Sequence, residues 1–224
     1  MSDRNAAAPS RRAQRKAEQP RSGDERERAI LEAARTAVKG GTFETVSISE
    51  LAASAKVSRS SFYFYFASKD ALLATLVEQV LAEIFANLRL AASRKGANIR
   101  SQIKEAVGHI VNAWLAHREI LCAAVELSSR MPVIAQLWNQ AVVGSVDLSL
   151  EQLDLAALAR RRSTLRRQAH LLAWGQERNL YNLAKSGGDA AAFAAMTADL
   201  TEMWITALYV PAESPISKVK GSKR

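Results

Sequence analysis

Between Val46 and Leu76 the chain reads V-S-I-S-E-L-A-A-S-A-K-V-S-R-S-S-F-Y-F-Y-F-A-S-K-D-A-L-L-A-T-L, a pattern that few folds accommodate. Ser47 to Glu50 is an S-x-x-E capping box, which predicts a helix beginning at Ile48. Leu51, Ala52 and Ala55 give that helix one apolar side before Lys56-Val57 turns the chain. Ser58 then caps a second helix whose first turn carries Arg59, Ser60 and Ser61. Phe62 and Phe66 stand four residues apart, so both face the core. Ser60, Ser61 and Phe64 point the opposite way, with Tyr63 and Tyr65 on the flanks. A helix that buries two phenylalanines and turns hydroxyls, phenols and a guanidinium outward is a candidate DNA recognition helix.

The pattern A-x-x-A-x-V-S-x-x-x-F-Y-x-Y-F-x-S-K-x-x-L, placed after a first amphipathic helix, resembles the DNA-binding domain of TetR-type bacterial repressors. Lys56 departs from it, since such sequences usually carry glycine at the turn. A left-handed non-glycine residue costs roughly 1–2 kcal/mol, which the domain can bear. Two aromatic core helices with no DNA role are the alternative, but they would have to reproduce the cap, turn, aromatic spacing and Ser-Lys pair together.

Hydrophobic residues make up 48% of the 224 positions, with five prolines and ten glycines, a profile that predicts an all-α chain. The formal charge of +9 is unevenly spread. Residues 1–22 hold six Lys/Arg against two acids and residues 211–224 hold four against one, which leaves +2 on the body between. An excess placed in two tails suits a polyanionic partner. Cys122 is the one cysteine, so no intrachain disulfide forms and a reducing compartment is expected. The arginine-rich start shows no secretory h-region, and no apolar run is expected to reach the roughly 20 residues that span a bilayer. The expectation is a cytoplasmic, nucleoid-associated bacterial protein with no membrane partner.

About nine helices are predicted, in an N-terminal three-helix helix-turn-helix domain and a C-terminal helical ligand-binding and dimerisation domain. Residues 1–22 read as a disordered basic tail, 23–68 as the DNA-binding domain, 69–210 as the larger domain and 211–224 as a second basic tail. Arg11, Arg12, Arg15, Lys16 and Arg21 either track DNA or simply solubilise the tail. The first helix is expected over Asp24–Lys39, ended by Gly40-Gly41, with Phe43 returning to the core. Ser68 caps a long helix to Ala92, and Lys69 at its start is placed for a phosphate contact. A loop at 95–98 leads to a helix with the stripe Ile103, Val107, Ile110 and Trp114. A short helix over Glu119–Arg130 follows, and Pro132 opens another with Ile134, Leu137, Trp138, Ala141, Val142, Ser145 and Leu148. Arg160 to Arg162 mark an exposed loop. The last two helices are expected over Thr164–Lys185 and Ala190–Val210.

The penultimate helix is apolar on two faces, Leu172, Leu180 and Leu183 on one and Leu171, Trp174 and Tyr181 on the other. It therefore needs two partners, one beyond its own subunit. The final helix adds Phe193, Met196, Leu200, Trp204 and Ala207. In TetR-type repressors the last two helices form a four-helix dimer interface, so the resemblance implies a homodimer here. Gln176 interrupts an apolar face, and a buried amide needs partners. Gly108, Gly144 and Gly175 lie inside helices, each costing about 1 kcal/mol relative to alanine. Small residues beside tryptophans leave either an apolar cavity or tight helix crossings. W-G-Q-E-R-N-L-Y-N-L at Trp174–Leu183, W-I-T-A-L-Y at Trp204–Tyr209, Q-L-W at Gln136–Trp138 and the F-Y-F-Y-F-A-S-K run resemble a mycobacterial branch of the family that holds a long apolar tunnel. The resemblance implies tunnel-lining roles for Ile103, Val107, Ile110, Trp114, Trp138, Val142, Gln176, Tyr181 and Trp204. Ile103, Ser145 and Leu148 replace that branch's aromatic residues, so pocket size does not carry over.

His109, His117 and His170 are dispersed, with no metal-ligand spacing, and Cys122 lies in an apolar run that predicts a buried thiol. Carboxylates are spaced mostly along solvent-facing helix sides. No enzyme, metal or cofactor is expected. The expected function is a repressor that binds a palindromic double-stranded operator and is released by a small apolar effector. Base reading falls to Arg59, Ser60, Ser61 and Phe64, and backbone contacts to Ser47, Ser58, Tyr63, Tyr65 and Lys69. The alternative is a ligand-independent, dimeric architectural DNA-binding protein.

Overall fold

The computed structural model describes residues 22–92, 99–152 and 162–209. Nine α-helices and no strand are found among them: α1 Gly23–Lys39, α2 Ile48–Ser54, α3 Arg59–Tyr65, α4 Lys69–Ala92, α5 Ile99–Ala116, α6 Arg118–Leu127, α7 Pro132–Gln152, α8 Arg162–Lys185 and α9 Ala190–Tyr209. The chain divides into two compact units between Leu72 and Leu73, inside the first turn of α4.

In the first unit α1 packs on α2 and α3, and α2 on α3. Ser22 opens α1 with a capping box, its Oγ accepting from Glu25 N at 3.3 Å while Glu25 Oε2 accepts from Ser22 N at 2.9 Å. The apolar positions Ile30, Leu31, Ala34, Ala37 and Val38 follow the helical period and are all buried. Gly40 caps the C-terminus, and Gly41 at φ 67° turns the chain in a conformation that suits glycine. Phe43 returns to the core as expected, where Ile30, Leu51 and Phe62 are almost fully enclosed. Truncating Phe62 to alanine would cost about 3–5 kcal/mol, enough to unfold so small a unit.

In the second unit α9 packs on α5 and α8, α7 packs on α8, and α6 fills in against α7 and α8. Its core includes Leu76, Val77, Ile120, Leu121, Ile134, Leu180 and Phe193. α7 and α4 meet at Gly144, where a Cβ would stand in ordinary van der Waals contact with the Phe85 ring, 3.5 Å away. At the α8–α9 turn Gly187 adopts φ 78°, and Arg118 donates to the Gly188 carbonyl at 2.9 Å.

Several expectations need correcting. Arg162 belongs to α8 rather than to a loop, and α6 ends at Leu127 because Ser128 to Arg130 close as turns. The Lys69–Ala91 stretch of α4 is long and apolar enough to cross a membrane by length and composition. Its Leu72, Leu73, Leu76 and Val77 are instead enclosed within the protein, as in the core helix of a globular domain. Glu177 is no surface carboxylate; only 5% of it is exposed. The two basic tails, the 95–98 loop, Arg160, Arg161 and Val210 lie outside the described residues.

Candidate nucleic-acid interface and cavity

The turn between α2 and α3 runs through Lys56 at φ 56°, so lysine takes the left-handed position that the turn demands. Val57 N closes it by donating to Ala52 O at 2.9 Å. Ser58 begins α3, its Oγ accepting from Ser61 N at 3.0 Å and lying 2.9 Å from the hydroxyls of both Ser60 and Ser61. Phe62 and Phe66 anchor the helix inward, their rings 6.0 Å apart. Opposite them Phe64 is 82% exposed and Tyr63 45%. Arg59 Nη2 donates to the Tyr63 hydroxyl at 3.4 Å and its guanidinium lies 5.7 Å from the Tyr63 ring centre, so these two side chains form one unit. Tyr65 is half-buried, its hydroxyl beside Gly23 at the start of α1.

At the start of α2 the capping box is complete: Ser47 Oγ accepts from Glu50 N at 3.1 Å, and Glu50 Oε2 accepts from Ser47 N at 2.7 Å. The Ser47 backbone N–H, and after it the Ser47 hydroxyl, hold the Glu50 carboxyl below its ordinary pKa. Lys69 differs from expectation in its partners. Its Nζ donates to Glu44 O at 2.8 Å and Val46 O at 2.9 Å, within the same unit.

The second unit holds a mostly apolar cavity of about 90 Å³ among α4, α5, α7, α8 and α9. Ile103, Val107, Ile110, Gln176 and Trp204 line it, together with Leu88, Ala106, Ser145, Ser149, Leu150 and Leu208. Trp204 Nε1 donates to Gln176 Oε1 at 2.6 Å. Trp114, Trp138, Val142 and Tyr181 are not brought to its wall. Trp114 and Trp138 pack edge to face at 5.9 Å, and Val142 packs with Val146, Ala169 and Ala173. Tyr181 donates to Glu126 Oε1 at 3.1 Å, on the α6 side.

Residues 30–76 match the family described as bacterial regulatory proteins, tetR family. The HTH-type transcriptional regulator EthR of Mycobacterium tuberculosis is 26% identical over 193 residues, covering 84% of this chain and 89% of that protein. EthR of Mycolicibacterium smegmatis is 30% identical over 118 residues, covering 53% of this chain and 54% of that protein. The chain is similar to TetR-family transcriptional regulators. It resembles EthR and is no enzyme. The TetR-type fold extends beyond the matched segment. FadR from Bacillus halodurans, a fatty acid degradation regulator, superposes with a TM-score of 0.62 at 16% identity, over 84% of this chain and 97% of that one.

Other features of the chain escaped sequence reasoning. Next to Gln176, Glu177 Oε1 accepts from Trp138 Nε1 at 3.2 Å, while Oε2 has no hydrogen-bond partner and lies 3.8 Å from Arg178 Nε. Burial drives that carboxyl above its ordinary pKa. Gln176 and Glu177 are thus consecutive acceptors, each holding an indole from a different helix. A helical wheel shows that α8 is wrapped on several sides, but it does not show that an acid lies inward. Cys122 is buried as expected, its thiol pushed up to about 11 by burial and then by Glu126. Asp147 is held below its ordinary pKa first by its bonds from Arg166 and then by His170, 3.2 Å away. No three metal-binding side chains converge among the described residues.

Proposed function

We propose that the protein is a dimeric cytoplasmic repressor, released from a two-fold symmetric operator by a small, mostly apolar effector. The observation that carries the DNA part is the outer face of α3. An 82% exposed phenylalanine, a guanidinium laid along a tyrosine and three serine hydroxyls have no purpose in a folded interior. Arg59 reads a guanine edge, Phe64 meets a thymine methyl and Ser60 and Ser61 adapt to either base. Ser47, Ser58, Tyr63 and Tyr65 reach phosphates, which fix register without reading sequence. Dimerisation is supported by α8, which exposes Leu171 and Trp174 on its outer side. Paired recognition helices about 34–36 Å apart match successive major grooves.

The effector site is the cavity lined by Gln176 and Trp204. Water takes about 30 Å³ per molecule in the liquid, whereas drug-sized ligands occupy about 300–1,000 Å³. At about 90 Å³ the cavity is therefore a closed form that an effector widens. Release follows by population shift, the effector favouring the wide form over the form that grips DNA. The small volume also supports a second reading, an architectural DNA-binding dimer that takes no ligand. A thermal-shift screen of apolar compounds, followed by DNA binding with each hit, separates the two. Compounds that raise Tm and lower DNA affinity support the effector; a screen with no such compound supports the architectural protein.

A further inference from the structure

Lys69 is the first residue of a 24-residue helix, where the helix dipole disfavours a cation. The neighbouring Ser68 already caps that helix, its Oγ accepting from Ala71 N at 3.0 Å. The lysine reaches backward instead, to the loop that joins α1 to α2. Its ammonium takes two of its three donors to Glu44 O and Val46 O, at 2.8 and 2.9 Å, and lies 5.4 Å from the Phe43 ring centre. The loop is also tied around Thr42, whose carbonyl accepts from Thr45 N, Val46 N and Thr45 Oγ1 at 2.9–3.1 Å. Ser47, the cap of α2, follows Val46 directly.

We infer that Lys69 is a positioning residue, an ammonium that fixes the α1–α2 loop and with it the first turn of α2, and not a phosphate contact. The two carbonyls supply the compensation that the dipole denies. Because they precede the Ser47 cap, their position sets where α2 begins and where the Ser47 hydroxyl points. Lys69, Glu44 and Val46 all belong to the first unit, so the clamp lies wholly within it. Lys69 acts on DNA affinity through Ser47 and α2, without touching DNA.

Two measurements on the full chain decide it. In limited acetylation read by mass spectrometry, Lys69 of DNA-free protein should react about tenfold or more slowly than exposed Lys39 and Lys56, because two charge-assisted bonds must break first. Adding a mixed-sequence duplex should leave that rate unchanged. Lys69→Met should weaken binding to a duplex selected by the wild-type protein about tenfold, at an unchanged slope of log Kd against log salt; a lost phosphate contact lowers the slope by about 0.9 per protomer. Lys69→Arg, which still offers two donors, should restore affinity. A lowered slope, wild-type binding by the methionine variant, or a Lys69 as reactive as Lys56 and shielded only by DNA overturns the inference. The acetylation rate without DNA needs neither a folded variant nor a DNA-binding protein, so it decides the clamp even if the regulatory reading fails.

Discussion

Trp204 and Gln176 meet at the cavity wall, the indole Nε1–H donating to the amide Oε1 at 2.6 Å. The bond joins α9 to α8 at the place where an effector would have to enter. Gln176→Leu leaves the indole donor facing an apolar wall, which costs about 1–3 kcal/mol. Adding Trp204→Phe removes that unsatisfied donor, so the double variant should be more stable than the sum of the two single losses predicts. Denaturant unfolding of the four proteins checks this, and strict additivity would show that the bond carries no coupling.

Glu177 gives a pH dependence of definite sign. Its native carboxyl titrates above the unfolded one because burial disfavours the charge. The native state therefore holds its proton longer, and the stability tied to that proton is present below the ordinary carboxylate pKa of about 4.3. It is lost as pH rises through the higher native value. Glu177→Gln keeps an acceptor for Trp138 and removes the charge. Its Tm should match wild type at acid pH and exceed it at neutral pH, by about 1–3 kcal/mol of stability. Equal Tm values at every pH would mean that the site is better solvated than its burial indicates.

Cys122 should resist thiol reagents in the folded protein. Its thiol is buried and pushed up to about 11, so thiolate is scarce at pH 8. Labelling with a disulfide reagent should follow global unfolding, and rapid stoichiometric labelling of native protein would contradict the packing.

The helix-turn-helix was legible because its signals are local. The Ser47–Glu50 box, the Ser58 cap and the Phe62–Phe66 spacing each lie within one or two turns, and all appear where expected. Even the lysine at the turn takes the left-handed conformation that its position implies. The cavity was half legible. Ile103, Val107 and Ile110 share one face of α5, and that face lines the cavity. Trp114 and Trp138 pack on each other instead, since which tryptophan faces a void depends on how helices distant in sequence cross. Glu177 and the Lys69 clamp were invisible for a related reason. Their partners lie 39 residues away in one case, and 25 and 23 in the other, and no periodicity joins them.

On DNA, Arg59 and Tyr63 should separate into two kinds of effect. Arg59→Ala should cost about 1–3 kcal/mol on a duplex selected by the wild-type protein, with little change on scrambled sequence. Tyr63→Phe keeps the ring and loses only the hydroxyl, and it should weaken both duplexes alike. Fluorescence anisotropy at fixed salt reads both. Equal losses from Arg59→Ala on the two duplexes would remove the base-reading role.

The outer face of α3, presented twice in a dimer, is expected to read DNA sequence. Selecting duplexes from a random pool with wild-type protein and with Arg59→Ala, then sequencing both, tests it most directly. Wild-type protein should select a two-fold symmetric sequence with half-sites about 34–36 Å apart, and the variant should show a relaxed base pair in each half-site. A wild-type pool no different from its input, or identical enrichment by both proteins, would contradict it.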